Sequence, residues 1–374
     1  MNFRLKEYGD IHFFHNRTPT FHIISNFKRS LPDTDDLNDL DVIVLNGDVF
    51  DRASVFYDDE SHDVIEWMVW LLQLCKKRNI KLRVMEGTPS HDWKQSAYFP
   101  FLNELYQIGC DVRYVDTLSI EYFPDYDLNF LYVPDEWRTD SLETWKEVQA
   151  LLKANRLKMV DFAFIHGSFP HQLPPAARNS KEMHRLDHYT SIVRYRIFGA
   201  HIHQRSEEEK FLAAGSFDRL SHSDEMDKGH LDYRLINGKE SFSFVVNRGA
   251  MVYKTIRCKD IDITECLAKI EKVVGKHPEG SHFRIYANRT DPIFSAGGAL
   301  KLKFPKYHWT FKDALDKENE TSAINKTIEG IRQLKRPCLN ETNLRPALMD
   351  RLRSKHPDQV SLFDQIYEEI VING

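Results

Sequence analysis

Short apolar runs alternate with longer amphipathic stretches through roughly the first 235 residues of the chain. Residues 3–8 alternate apolar and polar side chains, as a strand with one exposed face does, and residues 42–45 form an apolar run typical of a buried strand. Residues 63–79 repeat their apolar positions at helical spacing, and residues 80–86 predict another strand. Strands separated by crossover helices favour a largely parallel sheet.

Later strands follow one another more closely. Residues 160–165, 192–198 and 211–214 predict strands, and the first of them follows a helix that begins after Asp140 with Glu143 in its first turn. Close spacing without intervening helices suggests hairpins on a second sheet. We therefore predict an α/β (α+β) fold in which helices flank a two-sheet β-sandwich.

The pattern changes near residue 236, and we predict three domains. The first spans residues 1–235, and the second, a small α/β domain over residues 236–316, contains strands at 241–246, 251–253 and 282–287. Its predicted helix begins at Asp262. Residues 317–374 contain two further helical patterns, which are too small to bury their own apolar faces and must pack on the body or on a partner.

Composition narrows the class of protein only a little. The 374 residues are 41% hydrophobic and 29% charged with a formal charge of −5, so any nucleic-acid groove must be a local basic patch. Five scattered cysteines without a CxxC motif argue against a disulfide framework or a structural zinc ribbon. The start of the chain has no apolar leader and no segment predicts a membrane span, so we expect a cytoplasmic protein.

Aspartate and histidine recur where predicted strands end. The chemistry is concentrated in five short segments: 9–12 (GDIH), 47–51 (GDVFD), 90–92 (SHD), 166–167 (HG) and 199–203 (GAHIH). Groups at successive strand ends gather at one edge of an α/β fold. Hard carboxylate oxygens together with imidazole nitrogens suit Mn, Fe or Zn better than Mg or Ca.

The spacing of these residues suggests individual roles. Asp10 and His12 have one residue between them, so both can point to the same side of an extended segment and share a metal. Asp48 follows the next strand, and its carboxylate can bridge two cations. His91, flanked by Asp92, is free to stabilise the transition state or protonate the leaving oxygen.

The ordered segments resemble the calcineurin-like metallophosphoesterase superfamily, whose pattern is Asp-x-His, Gly-Asp-x-x-Asp, Gly-Asn-His-Asp/Glu, His and Gly-His-x-His. The stretch at 214–225, AGSFDRLSHSDE, followed by Lys228 and Gly229, resembles the corresponding part of SbcD-type DNA repair nucleases. In that family a small capping domain follows the catalytic domain. A C-terminal helical segment then binds the coiled-coil base of an SMC-like ATPase.

The resemblance implies a residue-by-residue assignment. One metal would be held by Asp10, His12, Asp48 and His203, and the other by Asp48, His166 and His201. His91 would be the catalytic histidine, with Asp92 beside it. The family's Asn ligand stands directly before that histidine, where this chain has Ser90, so Ser90, Thr88 or a water fills that place. Asp51 stands where the nucleases often have His, and it could orient His12.

Three functional hypotheses follow. The first is a Mn-dependent dimetal DNA exo/endonuclease that acts as a homodimer with an SbcC-type, SMC-like ATPase in DNA repair and recombination. The second is a dimetal phosphatase or phosphodiesterase for small molecules or phosphoproteins, which the metal motifs alone permit equally well. The third is a metal-poor binding scaffold, motivated by the altered position of Ser90.

Overall fold

A computed structural model describes residues 2–54, 58–134, 140–178 and 180–314, together with the single positions 349, 353 and 360. The chain divides into two compact units, Met1–Ala314 and Leu315–Gly374. The predicted C-terminal helices lie, apart from the three single positions, outside the described residues.

The first large sheet contains six strands in the order β12-β11-β1-β2-β3-β4. The strands β1 to β4 are mutually parallel, whereas β11 pairs antiparallel with both β1 and β12. Their bounds are β1 Asn2–Tyr8, β2 Val42–Asn46, β3 Lys81–Met85, β4 Val112–Val115, β11 Gly229–Ile236 and β12 Lys239–Val246. The predicted parallel core of the sheet is therefore present.

The second large sheet also contains six strands, in the order β5-β6-β7-β8-β10-β9. Strands β6, β7, β8 and β10 are parallel, and the edge strands β5 and β9 are antiparallel to their neighbours. Their bounds are β5 Ser119–Phe123, β6 Leu128–Val133, β7 Val160–His166, β8 Val193–Ala200, β9 Ser206–Glu208 and β10 Phe211–Ala213.

Alternate side chains of the buried strands build separate apolar layers. In β2, Val42 and Val44 join the layer between the two sheets, whereas Ile43 and Leu45 pack under the helices on the outer face. A corresponding layer under α5 and α6 covers the second sheet. The flanking helices are α1 Thr20–Ser30, α2 Asp59–Arg78, α3 Pro89–Asp92, α4 Tyr98–Leu105, α5 Ser141–Ala154 and α6 Leu186–Ile192. The predicted helix-flanked two-sheet sandwich is confirmed.

A third, smaller sheet consists of three parallel strands in the order β13-β14-β15. It packs against three helices through one apolar cluster. The elements are β13 Tyr253–Arg257, α7 Ile263–Val274, β14 His282–Ala287, α8 Pro292–Ser295, α9 Gly297–Lys303 and β15 His308–Asp313. The assignment of residues 241–246 to this small domain was wrong, because they form β12, which extends the first large sheet through its pairing with β11.

Two further predictions concern cysteines and membranes. Cys75, Cys110, Cys258 and Cys266 are buried and free, without a disulfide. The described residues include no helix with the length and apolar character that a membrane crossing requires.

Candidate metal centre

The predicted ligands converge where parallel strands of both large sheets end. The chain leaves β1 and β2 side by side, since the Asp10 amide donates to the Gly47 carbonyl at 3.2 Å and the His12 amide to the Asp48 carbonyl at 3.0 Å. From the second sheet, β7 ends at His166 and β8 ends just before His201. The carboxyl edges of the two sheets thus bring distant parts of the sequence together.

Four of these residues leave their strands in the left-handed backbone region. The φ angles are 50° at Asp10, 56° at His12, 48° at Asp48 and 89° at His201. Asp10 and His12 therefore do not owe their common direction to an extended strand, as the sequence spacing suggested, because β1 already ends at Tyr8. Tight turns of the backbone aim both side chains at the site.

Among the described residues, three overlapping groups of side chains are close enough to hold a metal ion, with ligand atoms within 4.8 Å of one another in each. The groups are Asp10, His12 and His203; His12, Asp48 and His91; and Asp48, His166 and His201. Two of the three groups share Asp48, and two share His12. Each of the six predicted aspartate and histidine ligands belongs to at least one group.

Asp48 lies at the centre of the site and is almost fully buried. Its Oδ1 is 3.3 Å from His166 Nε2, and its Oδ2 is 3.0 Å from His91 Nδ1 and 3.7 Å from His12 Nε2. Burial alone raises the pKa of Asp48, yet the surrounding imidazoles hold that pKa well below its usual range. The carboxylate is ionised and available on two sides.

A backbone carbonyl fixes the orientation of the His166 ring. Its Nδ1 is 2.8 Å from the Asn46 carbonyl oxygen, which can only accept, so Nδ1 carries the proton and Nε2 faces Asp48. Likewise, His12 Nε2 and His203 Nε2 are 3.0 Å apart. Lone pairs at such distances repel each other unless a proton or a metal cation lies between them. The donor set therefore fits a metal of the borderline class.

Thr88, not Ser90, reaches the second metal group. Its hydroxyl Oγ1 lies 3.2 Å from Asp48 Oδ2, 3.2 Å from His201 Nδ1 and 3.4 Å from His166 Nε2. Ser90 is exposed in the short helix α3. The sequence left Ser90, Thr88 or a water open for this place, and these distances favour Thr88.

His91 and Asp92, both predicted to be catalytic, occupy different environments. The His91 side chain is 37% exposed, and its hydrogen bond to Asp48 raises its pKa. Asp92 is fully buried, and its carboxylate accepts from the backbone amides of Asp48 (3.0 Å), Phe50 (2.9 Å) and Gly87 (2.6 Å). Both Asp92 oxygens are engaged by the loops that carry the ligands, which favours a positioning role for Asp92 over the predicted catalytic one.

Aspartate side chains also contact the predicted histidine ligands. Asp10 accepts from the His201 amide at 2.9 Å. Asp51 Oδ1 lies 3.2 Å from His12 Nδ1, close enough for an ion pair but without hydrogen-bond geometry. Asp224 Oδ2 is 4.0 Å from His203 Nδ1. Burial opposes ionisation of Asp224 and is the largest single effect, but His203 and Lys228 together outweigh it and lower the pKa of Asp224 to about 2.

Lys228 completes this support and was missed as a site residue. Its buried ammonium donates to Asp224 at 3.2 Å and to the His203 carbonyl at 2.6 Å. Asp224 and Lys228 stand four positions apart in the 214–229 stretch, and this spacing was the signal in the sequence. Nothing in the sequence indicated that the pair contacts His203.

Two glycines permit the close approach of these loops. A Cβ atom at Gly47, where φ is +83°, would lie 2.2 Å from His166 Nδ1, and one at Gly87 would lie 2.1 Å from the Asp48 amide nitrogen. Both distances are far inside van der Waals contact, so only glycine fits.

Comparisons with known proteins gave similarities to solved structures. No family model matches it, and no curated protein matches it. One crystal structure resembles 65% of this chain and 99% of its own at 12% identity and a TM-score of 0.40. Another is described as GAP50, the anchor in the inner membrane complex of Plasmodium; it matches 72% of this chain and 94% of its own at 14% identity and a TM-score of 0.41. At these identities and TM-scores, neither similarity bears on function.

Proposed function

We propose that this protein is a dimetal phosphoesterase with two Mn²⁺ ions, and that it hydrolyses DNA phosphodiester bonds. The observation that carries the metal assignment is the buried, ionised Asp48, whose two oxygens face separate histidine groups. A carboxylate so placed is the usual bridge between two cations. Asp10, His12 and His203 would hold one ion, and His166, His201 and the Thr88 hydroxyl the other.

Each side chain then has a defined task. Bound divalent cations supply neutralising charge to phosphate oxygens and a lowered pKa to water. His91 is anchored by Nδ1 on Asp48 and is partly exposed, so its Nε2 is the atom that can hold a proton for the leaving oxygen. Asp92 fixes the loops around Asp48, and Asp224 fixes the ring of His203.

DNA is favoured as the substrate by the 214–229 stretch, which resembles SbcD-type nucleases. That stretch supports the metal centre through Asp224 and Lys228, and it also contacts the small domain, since the Asp218 carboxylate accepts from the Met251 amide at 2.7 Å. A substrate bound along this stretch would contact both the metal centre and the small domain. The SMC-like ATPase partner and the cytoplasmic location remain predictions.

The test compares wild-type protein with Asp48→Ala and with Asp187→Ala, which changes an exposed aspartate that is not in any of the three ligand groups and pairs with Arg185. Wild type and Asp187→Ala should bind two metal ions per chain and, with Mn²⁺, cleave both bis(p-nitrophenyl) phosphate and linear duplex DNA. Asp48→Ala should lose roughly a thousandfold or more of both activities because the bridge is gone. Retained activity in Asp48→Ala would refute the assigned bridge.

The two alternatives give different results in the same assay. A phosphatase or phosphodiesterase for small molecules or phosphoproteins would turn over such substrates and leave DNA intact, even with an SMC-like ATPase present. A binding scaffold would contain no stoichiometric metal and cleave neither substrate.

A further inference from the structure

A histidine outside the ordered sequence segments lies against the backbone of the metal centre. His184 stands just before helix α6, and none of the five segments includes it. Its backbone amide donates to the Ser168 carbonyl at 3.0 Å, which joins the start of α6 to the loop after β7. That loop follows directly on His166, a candidate ligand of the second metal group. A backbone contact therefore holds His184 beside a candidate ligand.

Gly167 makes room for the imidazole ring of His184. A Cβ atom at Gly167 would lie 2.8 Å from both Cδ2 and Nε2 of His184, so the ring edge reaches the backbone because no side chain intervenes. The Gly167 amide in turn donates to the Ala200 carbonyl at 3.2 Å, and Ala200 directly precedes His201. The ring edge thus lies where the loops that carry the ligands His166 and His201 join.

Neighbouring aromatic residues hold the rest of the ring. The Tyr189 hydroxyl lies 3.0 Å from Nδ1 of His184, and the ring centroids of Phe169 and His184 are 5.7 Å apart. His184 is only 9% exposed. Burial, and after it the neighbouring charge of His201, lower the pKa of His184 to about 4, so the ring is uncharged at neutral pH. Packing and the hydrogen bond together fix its orientation.

The second ring nitrogen of His184 is available to a ligand. Among the described residues, Nε2 has no hydrogen-bond partner, and the protein does not enclose this atom completely. In contrast, Nε2 of His171 also lacks a partner there but is fully enclosed. A buried nitrogen without a partner costs free energy, which a water or a bound oxygen would recover. Beside the second metal group, that oxygen would be one of the substrate.

We propose that His184 binds the substrate phosphate on the side of the second metal group, with Nε2 as the donor to a non-bridging phosphate oxygen. The inference rests on the proposed function and adds to it a residue that contacts the substrate. A neutral imidazole carries one proton, so Nδ1 accepts from the Tyr189 hydroxyl when Nε2 donates.

The experiment measures binding of thymidine monophosphate to the full chain loaded with Mn²⁺, by isothermal titration calorimetry. His184→Phe keeps a ring of similar size but removes Nε2. It should weaken binding roughly 10- to 100-fold, the effect of losing a hydrogen bond to a charged oxygen. His184→Gln keeps an amide N–H donor and should bind within about threefold of wild type.

His188→Phe is the matched control. His188 lies on α6 and stacks on Trp145, with ring centroids 4.6 Å apart, so a phenyl ring can keep that contact. The variant should bind thymidine monophosphate within about twofold of wild type.

Metal content is measured on the same samples. Both His184 variants should retain two Mn²⁺ ions per chain, because the imidazole contacts the substrate and not the metal. The proposal is overturned if His184→Phe binds thymidine monophosphate like wild type, if His184→Gln is as weak as His184→Phe, or if His184→Phe loses the second ion. A wild-type chain that binds no Mn²⁺, or does not hydrolyse bis(p-nitrophenyl) phosphate, would instead count against the phosphoesterase.

Discussion

Thr88 shows how one side chain takes a place that a sequence pattern assigns to its neighbour. In the pattern, the metal-binding Asn directly follows glycine and directly precedes the catalytic His. Here Pro89 and Ser90 lie between Thr88 and His91, and they form the start of the short helix α3. Thr88 still follows Gly87 and still faces Asp48, whereas Ser90 keeps only its position before His91.

A pair of variants tests this assignment. Thr88→Ala should weaken binding of the second metal ion roughly 10- to 100-fold and slow phosphodiester hydrolysis, because a group that contacts Asp48 and His201 is lost. Ser90→Ala is the matched control and should alter neither quantity, since that side chain is exposed. Manganese titration by calorimetry gives the affinities, and a larger effect for Ser90→Ala than for Thr88→Ala would contradict the assignment.

Strands β1 and β2 enclose an acidic group that the ligand set does not include. Glu7 is fully buried, and its Oε1 accepts a hydrogen bond from the Asn46 side chain at 2.9 Å. Burial raises the pKa of Glu7 to about 8. Asn46 also supplies the carbonyl that fixes the His166 ring, so Glu7 supports the site from within the sheet.

The raised pKa of Glu7 predicts a pH-dependent stability. Between about pH 4.5 and pH 8 the unfolded chain releases a proton that the native protein retains, so the free energy of unfolding falls as pH rises. Glu7→Gln removes this titration and should become progressively more stable than wild type over that window, by at most about 1.4 kcal/mol per pH unit. Urea unfolding in EDTA measures the difference.

Glu143→Gln provides the control for that series, because Glu143 is exposed in α5. Its stability relative to wild type should stay constant with pH. A constant difference for Glu7→Gln as well would show that Glu7 does not retain its proton.

The elements were predictable where periodicity and burial agreed. Apolar spacing alone predicted the buried strands β2 and β7 and the long helix α2. The hairpin of β5 and β6 was not predicted, and β12 was assigned to the wrong sheet, because strand pairing depends on partners distant in sequence. The backbone turns at Asp10 and His12 were not predicted either, because the spacing of residues does not indicate their φ angles.

At the scale of the whole molecule, helix α4 presents an apolar stripe to solvent. Tyr98, Phe101 and Leu105 recur at helical spacing and are each more than half exposed, as is the neighbouring Tyr106. The helix follows shortly after His91 and Asp92 in the chain. We propose this stripe as the contact between two copies in the expected homodimer.

Phe101→Glu should convert that dimer to a monomer, because it places a charge in the centre of the apolar stripe. Light scattering after size-exclusion chromatography measures the mass. Tyr122→Glu is the control and should not change the mass. Tyr122 and Phe101 are each 54% exposed, but Tyr122 lies on the edge strand β5 and not on the stripe. A wild-type chain that is monomeric at all concentrations, or a Phe101→Glu variant that remains dimeric, would exclude this contact.

The left-handed backbone at Asp10, His12, Asp48 and His201 also makes it possible to remove a side chain without disturbing its turn. Glycine adopts this conformation freely. Replacing any one of these residues by glycine therefore deletes a candidate ligand and leaves the local backbone conformation accessible, so a loss of metal binding in such a variant is attributable to the missing side chain.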